Sequence, residues 1–300
     1  MFSRDGALVG RYGRHGEGPG EFRELDGLFR LPGDTLIALD LWGPRFTMFA
    51  PGGEAVSVFR LPAYRFMRPV GVLDSVELVF NTRPPARRTR DGLLPLGPFH
   101  VDVADSTGHR HLRLGPYPGG MKYYVDMPGY HAGYDVPFSR HVLVAARGTQ
   151  IAIARALDGL VTVFSADGTI MREFVVAGGR EALTPAGIER YRASHGSESR
   201  WSQGLDRMLG EVSLPDTLPA VDSMLLDRDG GVWIRRLPAY LSEQQTWHIY
   251  RPDVRRVDSL RLDARIRLLD VAREAVAGLW WSELDEPTVS VYRIVLPDSL

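Results

Sequence analysis

Apolar and polar residues alternate in short runs along most of the chain. Clear cases are TLIALDLW (35–42), AVSVFRL (55–61), SVELVF (75–80), QIAIAR (150–155), GLVTVF (159–164), GVWIRR (231–236) and TVSVYRIV (288–295). They are short, rich in β-branched and aromatic residues, and bounded by Gly, Pro or Asp, which predicts half-buried strands. A second pattern overlies the first. An aromatic residue, two spacers and a tight turn recur as FSRDGALV (2–9), FAPGGEAV (49–56), FSADGTIM (164–171) and, more loosely, YRPDVRRV (250–257). This is one hairpin written several times, and the Asp-Gly pairs at 5–6 and 167–168 suit two-residue turns that need positive φ. A hairpin repeated at about blade intervals predicts an all-β protein, a β-propeller of four-stranded blades in a single domain over 1–300.

The strands group into blades over 27–61, 69–115, 141–176, 223–262 and 266–295. The count does not close. An outer strand at 7–12 has no blade, and the last blade lacks its fourth strand. Two readings follow. One is a five-bladed ring closed by the N-terminal strand. The other is a six-bladed ring whose first blade is incomplete, with its start upstream of Met1. Three segments break the repeat: a Pro- and Arg-rich loop at 82–98, a Gly-, Tyr- and Pro-rich linker at 115–137, and 184–211. The last is predicted to be a helical insertion between blades, with Thr184 as cap and Pro185 in the first helical position.

Composition then narrows the chemistry. The net charge of −1 gives no global field for nucleic acid. The chain has no Cys, which removes disulfides, thiolate nucleophiles and Cys-ligated zinc. No apolar run reaches the ~18 residues of a membrane span. Lys122 is the only lysine, so the cationic chemistry belongs to arginine. The first residues do not read as a signal peptide. Location stays open between the cytoplasm and, if a signal peptide lies upstream of Met1, the periplasm or the exterior.

The segment 10–56 resembles an NHL-type repeat. Gly20, Glu21 and Phe22 end a glycine-rich linker, and Asp40 and Arg45 keep that repeat's Asp/Arg spacing, while Gly43 stands where the repeat carries Asn. The GEGPGEF form is similar to a group of bacterial six-bladed propellers, mostly uncharacterised and often exported. The resemblance extends to 137–168, 218–236 and the end of the chain. It implies a fold and no particular activity, and it favours the six-bladed reading.

No catalytic motif is visible. GEGPG (16–20) runs into a strand rather than opening a helix, so it does not form a phosphate loop. His109 and His111 share a strand face near His100, but on an outer strand that faces solvent. In a propeller the loops between second and third strands and the linkers between blades share one face. Those loops carry Trp42, Arg45, Arg83, Arg87, Arg88, Arg235, Arg236 and Tyr240. Converging guanidinium and aromatic groups suit a carboxylate, a phosphate or an acidic peptide. The reading is therefore a monomeric, cofactor-free binding module that presents this face to a protein or a small anionic ligand. The alternative is a metal-dependent hydrolase or lyase acting in the central channel.

Overall fold

The computed structural model describes residues 7–8, 10–42, 44–64, 67–83, 91–127, 130–139, 142–178, 180–195, 200–252, 257–282 and 286–294. A short parallel pair, β1 (Arg14–His15) and β2 (Glu21–Phe22), precedes the first sheet. That sheet is antiparallel in the order β3 (Leu25–Arg30), β4 (Leu36–Asp40), β5 (Arg45–Phe49), β6 (Ala55–Phe59). The second uses β7 (Pro69–Leu73), β8 (Leu78–Thr82), β10 (Phe99–Ala104) and β11 (Arg110–Tyr117), with β9 (Gly92–Pro95) leaving it between β8 and β10. After a hairpin of β12 (Met121–Met127) and β13 (Tyr130–Asp135) comes the third sheet, β14 (Val142–Gly148), β15 (Gln150–Arg155), β16 (Leu160–Ser165) and β17 (Ile170–Val175). Two helices follow, α1 (Pro185–Ala193) and α2 (Arg200–Glu211). The fourth sheet is β18 (Ser223–Leu226), β19 (Val232–Arg235), β20 (Gln244–Tyr250), β21 (Asp258–Asp263), and the fifth is β22 (Arg267–Val271), β23 (Ala275–Trp281), β24 (Pro287–Arg293).

The protein is mostly β, and its sheets curl around a common centre as in a propeller-like fold. The inner strands β3, β7, β14, β18 and β22 all contribute walls to one central cavity of about 460 Å³. Neighbouring sheets are glued face to face. Ile37, Leu39 and Phe46 meet Leu78 and Phe80 between the first and second sheets. Val79, Val101 and Val103 meet Ile151 and Ile153 between the second and third. Val161 and Val163 meet Val232 and Ile234 next, and Trp233 and Trp247 meet Val271 and Val276 after that. Each such side chain taken out of water contributes about 1.5–3 kcal/mol before entropy is counted. The second and third sheets are further joined by parallel pairing of β7 with β14, where Gly71 faces Ala146. A Cβ at Gly71 would sit 2.0 Å from the Ala146 carbonyl oxygen, so only glycine permits this approach.

Repeat hairpins occupy the outer two strands of their sheets. FAPGGEAV joins β5 to β6, and FSADGTIM joins β16 to β17 with Gly168 at φ +88° in its turn. Asp167 Oδ1 accepts from the Thr169 amide at 3.0 Å and fixes that turn. The expected outer strand at 7–12 is not a ladder strand among its described residues, where Leu8 makes one bridge.

The three segments that break the repeat come together. β9, from the 82–98 loop, pairs with β12, and β12 with β13, from the 115–137 linker. Against this small sheet lies α2. Leu205, Met208 and Val212 pack on Tyr123, Val125, Tyr134 and Val136. α1 begins where Thr184 Oγ1 accepts from the Gly187 amide at 3.1 Å, with Pro185 next to the cap. The insertion is thus two helices rather than one, and the two apparent linkers contribute strands. Together they form a cap. Inner strand β14 starts just after β13, so the cap lies at the end of the central cavity where the inner strands begin.

Candidate functional site

The cap encloses a cavity of about 520 Å³ against the fourth sheet. Its cap wall is aromatic because β13, α1 and α2 each turn a ring inward. Tyr134 lies 5.3 Å from Trp201, Trp201 stacks on His195 at 5.0 Å and 18°, and His195 lies 4.4 Å from Tyr191. Tyr191 in turn contacts Phe138 and Tyr240, at 5.4 and 5.7 Å. The row is fixed by hydrogen bonds at two points. Tyr134 donates its hydroxyl to the Trp201 carbonyl at 3.0 Å, and His195 Nδ1 meets the Tyr191 carbonyl at 2.8 Å.

The opposite wall is polar. Asp222 and Ser223 stand at the start of β18, and Arg235 ends β19 directly across from Ser223. Arg235 donates to Asp222 Oδ2 from Nε at 3.0 Å and from Nη2 at 2.7 Å, and to Gln245 Oε1 from Nη1 at 2.9 Å. Its guanidinium also lies over the Trp247 ring, 5.4 Å from the centroid. Gln245 is itself held from below by donating to the Asp263 carbonyl at 3.0 Å. The side chain is thereby rigid, and about a fifth of it stays exposed to the cavity.

Of the residues singled out by sequence, the structure brings Arg235 and Tyr240 into this cavity. Arg45 is elsewhere and buried. It donates to the Glu17 carbonyl, to the Glu21 carbonyl at 2.5 Å, and to Asp40 at 3.4 Å, pinning the 16–22 linker to the first sheet. Trp42 is exposed on the same sheet's loop. Arg83 lies over Phe99 at 5.5 Å and lines a separate cavity of about 330 Å³ on the other side of Asp135 and Val136. Arg236 packs its guanidinium on Gly178. Its charge, after burial, helps push the His248 imidazole below its ordinary value. Arg87, Arg88 and Gly43 lie outside the described residues. The expected convergence of arginines is therefore not what the described residues form. Tyr134, Tyr191, His195 and Trp201 were missed because three chain segments supply them. The signal available in the sequence was the aromatic content of segments already marked as irregular.

The central cavity offers less chemistry. Its walls are apolar apart from Arg30, Arg147 and Asp270. Arg147 closes the far end by pairing with Asp270 and donating to the Leu226 and Val271 carbonyls at 3.4 and 3.3 Å. His111 pairs with Glu77 at 3.1 Å on the outside of the second sheet. Among the described residues, no cluster of His, Asp and Glu is arranged to hold a metal ion, and no helix is long and apolar enough to cross a membrane.

No protein-family model and no curated protein matches this chain. Among solved structures it is similar to a candidate exported protein of Bacteroides fragilis, with 14% identity over 93% of this chain and 72% of that one, and a TM-score of 0.49. It is similar to a DUF4221 family member of Bacteroides vulgatus, with 10% identity over 97% and 84% of the two chains and a TM-score of 0.48. A third similarity is to virginiamycin B lyase from Staphylococcus aureus, with 8% identity over 91% and 85% and a TM-score of 0.35. Likeness at this level transfers no activity, and the fold described above rests on its own sheets.

Proposed function

We propose that the protein is a non-enzymatic binding module of the NHL-like propeller type, and that the cavity beneath the cap holds a small ring-bearing anion. The observation that carries this reading is the facing of two unlike walls: the aromatic row from Tyr134 to Tyr240 and the anchored Arg235. A guanidinium has five N–H donors, and Asp222 and Gln245 take three of them. Two remain, the number a carboxylate accepts in a bidentate contact. The rings provide stacking area for a flat body, and the volume suits a small molecule. Asp222 cancels the formal charge of Arg235, so the wall offers a carboxylate directed hydrogen bonds rather than net charge, which favours one carboxylate over a multiply charged anion. The metal-dependent hydrolase or lyase alternative has no specific observation in its favour.

The test is calorimetric titration with indole-3-acetate and benzoate as ring-bearing carboxylates and glucose as a neutral ring. Saturable binding of at least one carboxylate is expected, weakened at least tenfold in Arg235→Gln and in Trp201→Ala. If neither carboxylate binds, or if Arg235→Gln binds equally well, the reading is wrong.

A further inference from the structure

A cavity of about 290 Å³ lies at the end of the fourth and fifth sheets away from the cap, lined by Asp229, Gly231, Arg251, Pro252 and Arg273. Asp229 and Gly231 belong to the turn from β18 to β19, Arg251 and Pro252 follow β20, and Arg273 belongs to the turn from β22 to β23. Asp222 of the cap cavity precedes β18, so the length of the strands separates the two cavities. The walls are held in place. Asp227 Oδ1 accepts from the Asp229 amide at 3.0 Å and the Gly231 amide at 2.7 Å, and its Oδ2 accepts from Trp233 Nε1 at 2.8 Å. Arg172 of the third sheet donates to the carbonyls of Gly230 and Tyr250 at 2.6 and 3.2 Å. The turn that carries Asp229 and the strand end that carries Arg251 are thereby tied to one another.

Arg251 is unusual among the chain's arginines. It is only 6% exposed. Among the described residues its side chain has one partner, Asp258, whose Oδ2 accepts from Nε at 3.2 Å. Nη2 is buried and has no partner. A guanidinium carries five N–H donors, and a buried charged group is costly while its donors go unmet. An unmet group of this kind beside a cavity points to something that fills the cavity. Arg273 lines the same cavity, is exposed, and makes no ion pair among the described residues. Two guanidiniums call for an oxyanion. Asp229 decides which one. An ionised carboxylate only accepts hydrogen bonds, so it repels a fully deprotonated anion and suits one that still carries a hydroxyl. Asp229 and Asp258 also balance the two arginines in formal charge, so selection rests on directed hydrogen bonds rather than on net field. We propose that this cavity binds an oxyanion that keeps a hydroxyl at neutral pH, hydrogen phosphate above all. Arg251 and Arg273 donate to its oxygens, and Asp229 accepts from its hydroxyl.

The test is calorimetric titration of the protein with inorganic phosphate and with sulfate, at pH 7 and constant ionic strength. Sulfate has the same shape but no hydroxyl at this pH. Saturable binding of one phosphate per chain is expected, at least fivefold tighter than sulfate. Arg273→Gln and Asp229→Asn are the informative variants, because both positions are exposed and neither side chain bonds another described residue, so the fold should survive them. Arg273→Gln should weaken phosphate at least fivefold. Asp229→Asn, whose amide can donate to sulfate, should bring the two anions within about twofold of each other. The inference is overturned if phosphate does not bind, if its preference over sulfate is smaller than fivefold, or if Asp229→Asn keeps that preference. Phosphate binding that survives Arg273→Gln and is lost in Arg235→Gln overturns it in favour of the cavity beneath the cap.

Discussion

Arg235 places two donors on a single oxygen of Asp222, at 3.0 and 2.7 Å, and this aims the guanidinium into the cavity beneath the cap. Asp222→Asn keeps the shape and removes the charge. It is expected to release Arg235 from its partner and to tighten carboxylate binding three- to tenfold, with a steeper dependence on salt because less of the local field is cancelled. Stability should fall by about 1–3 kcal/mol, since both side chains are only about a fifth exposed and Arg235 loses a charged hydrogen-bond partner. Titration calorimetry at two salt concentrations checks both points. Weaker binding in Asp222→Asn would show that positioning outweighs charge.

Among the described glycines, Gly71 makes the tightest approach to a neighbouring backbone. Gly71→Ala forces a methyl group against the backbone of Ala146, where no side-chain rotation can relieve it. A loss of about 2–4 kcal/mol is expected, in the range of strongly destabilising single substitutions. Gly210→Ala is the control, because nothing lies within 4 Å of the added carbon. Urea unfolding of both variants decides it; similar midpoints would mean that β7 and β14 do not pair closely in solution.

Acid should loosen the second sheet first. Burial pushes the Asp102 carboxyl up, but hydrogen bonds from Arg113 and Thr82, with the charges of Arg113 and Arg110, outweigh it and hold the group below its ordinary value. Arg113 grips it with bonds of 2.7 and 2.8 Å. A carboxyl whose folded-state value is depressed stabilises the fold above its unfolded value, near 3.9 for Asp, and that contribution is lost as pH falls through the lower folded value. Asp102→Asn should therefore cost about 1–2 kcal/mol at pH 7 and flatten the stability profile below about pH 4. Thermal melts from pH 7 to pH 2.5 measure it, and parallel profiles for the two proteins would exclude Asp102 as the group responsible.

The cap carries a titration of opposite sign. Burial and the hydrogen bond to Glu211 push the Tyr123 hydroxyl up to about 12. The folded state therefore keeps a proton that the unfolded chain gives up near 10, and the stability held in this contact is present below that pH and lost as pH rises from 10 towards 12. Tyr123→Phe should lower stability by about 1 kcal/mol at pH 7 and remove that alkaline component. Phenolate absorbance at 295 nm followed through the titration would show it. Ionisation of all tyrosines near pH 10 would mean that α2 does not cover Tyr123.

How far the sequence could be read depended on the range of the interactions. The hairpins at 49–56 and 164–171 were legible because Phe, turn and strand lie within eight residues and the turn chemistry is local. The cap was not. Pro128-Gly129 between MKYYVDM and YHAGYD is a turn dipeptide, but the Gly-, Tyr- and Pro-rich composition around it reads as a linker, and β9 joins the pair from a Pro- and Arg-rich loop that reads as irregular. Its strand character comes from a partner rather than from its own residues. The site shows the same division. Arg235 and Tyr240, which residue type and place in the repeat single out, line the cavity beneath the cap, but nothing near Arg235 announces that Asp222 is its partner. Arg45 was misread for a related reason: the loop that carries it faces the right way, but its charge is spent on carbonyls of the 16–22 linker.

The cap is closed by contacts between residues very distant along the chain: Tyr134 meets Trp201 across 67 positions, and Tyr123 meets Glu211 across 88. Such contacts cannot form until the second and third sheets have brought their ends together, because the entropy of closing those loops comes first. The cavity is accordingly expected to close late in folding, after the hairpins that carry its rings. A ligand held there acts on late-forming structure, so it should lengthen the lifetime of the native state while leaving the rate of collapse untouched.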